Sequence, residues 1–187
     1  MFFKWTHNGV LIQKMRFSKC IGAFFMLIPL LGHSASGEPL KHFTTNFCTA
    51  FPTGPKTKPD QWKHCCVEHD LYFWAGGCGN FRLSADKRLR ECVASTGARE
   101  VAYLMYLGVR IGSYSPIKIK EERWGNGWLD GRGDLKPLRP EDLTAVHLEL
   151  QNHPSHEVSP EMLGNFIKTL ESQIKEFPTC SLQGKSI

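Results

Sequence analysis

The run Cys65-Cys66-Val67-Glu68-His69-Asp70 brings two sulfurs, an imidazole and two carboxylates into six consecutive residues. Histidine changes charge near neutrality, so it can take a proton from water as a general base, an effect worth about 10²- to 10⁴-fold in rate. On a helix, positions 66, 69, 70 and 73 share a face, so Cys66, His69, Asp70 and Phe73 look in the same direction. Cys65 and Cys66 then point about 100° apart and can staple that helix to two different neighbours, giving the rigid platform a catalytic group needs. His64 lies on the same helix off this face and reads as a surface histidine. The chain has no Gly-x-Ser-x-Gly elbow, the usual mark of a serine nucleophile on an α/β sheet.

The elements that must hold these groups are mainly helical. Residues Glu38 to Pro59 are broken by Pro52, Gly54, Pro55 and Pro59 and read as loop. Pro59-Asp60 suits a helix start and Gly76-Gly77 a stop, which predicts a helix from about residue 60 to Ala75. A second helix is predicted from Ser84, with Ala85, Leu89, Cys92, Val93 and Thr96 on one stripe. Ala98 to Ile111 continues helically and is nearly all apolar, so burial in the core is expected; it is too short to cross a bilayer. A long loop with Trp124 and Trp128 follows. Then come helices at Pro140–Leu150 and after Ser159-Pro160, the second with Leu163, Phe166, Ile167, Leu170 and Ile174 on one face. Strand signals are weak, and any sheet should be a small hairpin.

The 187-residue chain carries a formal charge of +5, but Lys4, Lys14, Arg16 and Lys19 sit in the first 36 residues, which contain no acid. Residues 1–36 have the three-part pattern of a secretory signal peptide: basic residues, an apolar run from Cys20 to Leu31, and Ser34-Ala35-Ser36. Its removal leaves a domain over 37–187 with 19 basic and 18 acidic residues, no electrostatic footprint for nucleic acid, and a secreted or periplasmic destination. Six of the seven cysteines remain, at 48, 65, 66, 78, 92 and 180, an even set that predicts three disulfides with fifteen possible connectivities. Zinc held by Cys65, Cys66, His69 and Cys78 is the competing use of these residues. Oxidation of exported thiols, and the poor fit of adjacent cysteines around one tetrahedral ion, argue against it.

Over residues 47–96 the sequence resembles the phospholipase A2 superfamily. Two cysteines, two free positions and His-Asp match at Cys65-Cys66-Val67-Glu68-His69-Asp70, and an aspartate six residues before a cysteine matches at Asp86 and Cys92. The resemblance implies a mainly α fold: a disulfide-stapled core with two antiparallel active-site helices, plus additional C-terminal helices. It implies the pairings Cys65–Cys92, Cys66–Cys48 and, by elimination, Cys78–Cys180. It implies His69 as general base, Asp86 orienting the imidazole, and Asp70 as a Ca²⁺ ligand, helped by backbone carbonyls of a loop at Phe47, Thr49 and Phe51. The activity implied is calcium-dependent hydrolysis of the sn-2 ester of glycerophospholipids at a membrane surface, by a monomer.

The chain departs from that family at several points. Tyr72 and Ala85 replace a cysteine pair normally bonded to each other, and Phe73 replaces a tyrosine that bonds the second aspartate. The glycine-rich calcium loop is reduced to Gly54. A non-catalytic phospholipid- or receptor-binding protein on the same scaffold is therefore the alternative, and the C-terminal third, which the resemblance does not reach, leaves a role in the cell envelope open. Trp124 and Trp128 are open to two readings, dipping into a lipid interface or covering the core.

Overall fold

The computed structural model describes residues 40–114, 123–132 and 136–180. The expected leader and the start of the 37–187 domain lie outside them. Among the described residues five helices follow one another: α1 Lys63–Ala75, α2 Gly79–Ser95, α3 Arg99–Tyr114, α4 Pro140–Asn152 and α5 Pro160–Glu176. Among the described residues there is no strand, only an isolated antiparallel bridge between Leu40 and Trp128. No described helix is long and apolar enough to cross a membrane.

α1 is the central element. Cys65, Cys66, Val67, His69, Leu71, Tyr72, Trp74 and Ala75 are all buried, so nearly every side of the helix meets protein. Val67, Leu71 and Trp74 enter a core with Val146, Leu150, Phe166 and Leu170 of α4 and α5. Cys65 and Cys66 enter a second cluster with Leu89 and Val93 of α2 and Ala102 and Met105 of α3. Three disulfides link Cys48 to Cys66, Cys65 to Cys92 and Cys78 to Cys180. They close loops of 18, 27 and 102 residues. In the chain-entropy picture such loops are each worth about 3 to 5 kcal/mol. Cys65 lies near the start of α1 and Cys92 near the end of α2, so the two helices run antiparallel.

The carbonyls at the C-terminal end of α1 have no partner within the helix and must find donors elsewhere. Gly76 N–H serves Tyr72 at 2.9 Å, and Gly125 N–H serves Phe73 at 2.6 Å. Gly127 N–H reaches Trp74 at 3.0 Å. Trp128 Nε1 donates to Ala75 at 2.7 Å, and Trp124 Nε1 to Gly77 at 2.6 Å. Gly76 holds φ 73°, and a Cβ there would stand 2.7 Å from Gly125 Cα, so the close approach requires glycine on steric as well as conformational grounds. Both tryptophans are buried, which decides between the two readings in favour of the core: they cap and cover α1.

Two helix starts and the burial of one helix differ from expectation. α1 starts at Lys63 rather than near residue 60, because turns hold the preceding segment: Trp62 N–H bonds Thr53 O at 3.0 Å and Thr53 Oγ1 bonds Pro59 O at 2.7 Å. α2 starts at Gly79, five residues before Ser84, where Phe81 is buried in the main core and its N–H is taken by the Asn80 side chain. α3 is not wholly buried: Ala102 and Met105 face inward, but Tyr103, Leu104, Leu107 and Ile111 are exposed.

The segment that caps α1 is itself tied to α4. Arg132 stacks over Trp128 at 3.5 Å and pairs with Asp142 at 2.8 Å, both members being buried. Asp142 also accepts the Arg139 N–H at 2.9 Å at the start of α4. Burial pushes the Asp142 carboxyl up, but the hydrogen bonds from Arg132 and Arg139 outweigh it and hold the group below the usual carboxylate range. A depressed folded value means that the stabilisation is present above the unfolded value and is lost as pH falls through the folded one. Urea unfolding between neutral and strongly acidic pH is therefore expected to show an acid-limb loss of stability that Asp142→Asn flattens; an unchanged slope would count against the pairing.

Candidate functional site

α1 and α2 bring His69 and Asp86 together across 17 residues of sequence. His69 Nε2 lies 2.8 Å from Asp86 Oδ1, with the carboxylate fully buried and the imidazole 8% exposed. A carboxylate only accepts, so Nε2 carries the proton and Nδ1 is left as the basic nitrogen. The other Asp86 oxygen accepts from Arg110 Nη1 at 2.9 Å, from α3. Phe73 lies against the imidazole with ring centroids 4.5 Å apart, and Trp124 packs edge-on against Phe73 at 5.0 Å. The imidazole is thus fixed by a hydrogen bond on its edge and an aromatic ring beside it.

Arg110 was not foreseen from the sequence. With phenylalanine at position 73, a hydroxyl donor to Asp86 is absent there, and a guanidinium from a third helix serves that carboxylate. The available signal was a lone cation directly after the uncharged run Val101–Val109. Thr45 carried no comparable signal, since it acts 25 residues from its partner: its Oγ1 donates to Asp70 Oδ2 at 2.6 Å. Burial pushes the Asp70 carboxyl up to about 6, partly offset by the Thr45 hydroxyl, the positive charge available to His69 and a backbone N–H from Asn46.

A cavity of about 820 Å³ opens between these groups, with His69, Asp70, Phe73 and Arg82 in its wall. Its apolar lining includes Phe51, Leu89, Met105 and Val109, and the whole segment Thr44–Phe51 borders it. Phe47 and Thr49 hold positive φ of 59° and 48° on either side of Cys48, whose bridge to Cys66 fixes this bend beside Asp70. Non-glycine residues rarely adopt that conformation, and where they do the strain tends to accompany a binding or catalytic role. His64 is exposed and outside the cavity lining. Zinc ligation by Cys65, Cys66 and Cys78 is removed by their disulfides.

The donor set suits a hard cation. Asp70 offers a half-buried carboxylate beside the segment Thr44–Phe51, and carboxylate with backbone-carbonyl oxygens is what Ca²⁺ coordination draws on. Asp70 belongs to no cluster of three or more His, Cys, Asp or Glu side chains among the described residues.

Removing Arg110 would leave the buried Asp86 with one partner. Arg110→Met is expected to cost about 3 kcal/mol in urea unfolding, and adding Asp86→Asn should recover part of that loss because no uncompensated charge remains. Equal stability of wild type and Arg110→Met would show that the pair contributes nothing.

The chain matches no family model, no curated protein and no solved structure.

Proposed function

We propose that the protein is a secreted or periplasmic enzyme that hydrolyses the sn-2 ester of glycerophospholipids with calcium as cofactor. The observation that carries this reading is the buried His69–Asp86 pair at 2.8 Å, with His69 and Asp70 facing one cavity of mixed polar and apolar lining. In the proposed reaction His69 Nδ1 removes a proton from a water molecule as its oxygen bonds the ester carbonyl carbon. The imidazolium then returns the proton to the departing glycerol oxygen as the ester C–O bond breaks, yielding a lysophospholipid and a fatty acid. Asp86 keeps the Nε2–H in place throughout and balances the charge that His69 gains. Phe73 and Trp124 hold the ring in plane and exclude water from its other side.

Asp70, with carbonyls from Phe47, Thr49 and Phe51, would hold the calcium ion. Bound calcium would supply the positive charge that polarises the ester carbonyl and stabilises the developing oxyanion. The Cys48–Cys66 bridge keeps the loop from drifting away from Asp70. The cavity volume is in the range usual for small-molecule sites, enough to take the region of a lipid around its ester.

α3 supports a lipid surface as the place of action. Tyr103, Leu104, Leu107 and Ile111 are exposed at helical spacing, while Met105, Gly108, Val109 and Gly112 of the same helix border the cavity. A protein that inserted these side chains into a bilayer would bring the cavity mouth to the lipid.

A specific observation favours the second reading, a lipid-binding protein without turnover: the Asp70 carboxylate already accepts from Thr45 and Asn46. Phosphatidylcholine and phosphatidylglycerol vesicles labelled at sn-2, assayed in millimolar calcium, separate the two. The enzyme should release fatty acid, with EDTA and Asp70→Asn abolishing release and His69→Gln lowering it by about 10²- to 10⁴-fold. Release that survives both EDTA and His69→Gln would refute the mechanism, and vesicle binding without release would establish the binding protein instead.

For the surface, Leu104→Glu with Ile111→Glu is expected to weaken vesicle binding by roughly tenfold or more, from the apolar area withheld from lipid. Hydrolysis of a soluble short-chain ester should be unchanged. Equal vesicle affinity would exclude α3 as the contact.

A further inference from the structure

We propose that His42, Glu149 and His153 form a second metal site, on the surface, for a divalent transition-metal ion of the zinc class. Glu149 and His153 stand four residues apart at the end of α4, which places them on one side of the helix. His42 comes from the N-terminal segment, 107 residues away from Glu149. Glu149 Oε1 lies 2.6 Å from His42 Nδ1 and 3.0 Å from His153 Nδ1, and the two imidazoles approach to 3.9 Å between centroids. One ligating atom from each residue lies within 4.8 Å of the others.

The spacing suits a small ion. Zinc bonds to nitrogen and oxygen at about 2.0–2.1 Å, which in a tetrahedron sets neighbouring ligand atoms roughly 3.3 Å apart. The nitrogen–oxygen gaps, 2.6 Å and 3.0 Å, need to open by about 0.7 Å at His42 and about 0.3 Å at His153, within reach of side-chain rotation. The side chains are 66%, 16% and 49% exposed for His42, Glu149 and His153, so an ion can enter from solvent and keep water in its fourth position. Two imidazoles with one carboxylate favour zinc, copper or nickel; calcium and magnesium prefer more oxygens than this site offers. The same three side chains without metal would form only a shared hydrogen bond, with two histidines converging on one carboxylate oxygen.

The ion would bind the N-terminal segment to α4. Three residues beyond His42, Thr45 holds Asp70, so the clamp would act on the segment that borders the cavity. The site does not depend on the hydrolase reading, since none of its ligands has a part in that chemistry.

The test uses untagged full-length protein dialysed against EDTA and then titrated with ZnCl2 by calorimetry and thermal melting. One zinc per chain and a raised Tm are expected, as for any ion that binds only the folded state. Glu149→Gln with His153→Gln should abolish both, His147→Gln should preserve both, and excess CaCl2 should not displace the zinc. Co²⁺ in the unaltered protein should develop the visible bands of a four- or five-coordinate nitrogen–oxygen site, a measurement that needs no variant. Zinc binding that survives the double substitution, or a Co²⁺ spectrum no different from that of the hydrated ion, would overturn the proposal.

Discussion

A carboxylate with no solvent exposure has to be met by donors, and Asp86 sets that condition for the whole molecule. Its two oxygens face different helices: His69 answers from α1 and Arg110 from α3. Three helices must therefore converge on one point inside α2. The Cys65–Cys92 bridge ties the first two together, and Leu89, Val93, Ala102 and Met105 pack the second against the third. The arrangement is expensive to assemble and correspondingly well defined once assembled, which suits a group whose angle decides whether a proton can be moved.

Local chemistry made some of this fold legible in the sequence. Pro140 and Ser159-Pro160 mark helix starts that the structure has, Ser159 accepting the Met162 N–H at 3.1 Å, and Gly76 ends α1 where a left-handed residue was needed. The relation of His69 to Asp86 was legible as a spacing within a resemblance, and their 2.8 Å contact gives that spacing a physical content. What escaped was non-local. Gly79-Asn80 has the composition of a turn, yet tertiary burial of Phe81 carries α2 back over it. Thr45 and Arg110 reach their carboxylates from 25 and 24 residues away, distances at which no periodicity operates.

α3 illustrates the limit of composition as a guide to burial. Its run of apolar residues is read equally well as a core helix or as a helix with one face on the protein and one in the open. The partition between Ala102 and Met105 on one side and Leu104 and Ile111 on the other depends on what the remaining chain has left to cover it. The tryptophans were ambiguous for the converse reason. An indole is at home both at a lipid boundary and in a core that gives its N–H a partner, and here carbonyls at the end of α1 supply that partner.

The manner in which α1 terminates bears on how the polypeptide divides. Donors for its last carbonyls come from Gly125, Gly127 and Trp128, and Cys78 is tethered to Cys180 almost at the other extreme of the described chain. The region after α3 is thus no appendage that could be shed or exchanged while the helical pair stays intact. A fragment stopping at the end of α3 would bare the carbonyl end of its own central helix and orphan a cysteine, so the smallest autonomous folding unit extends across both halves.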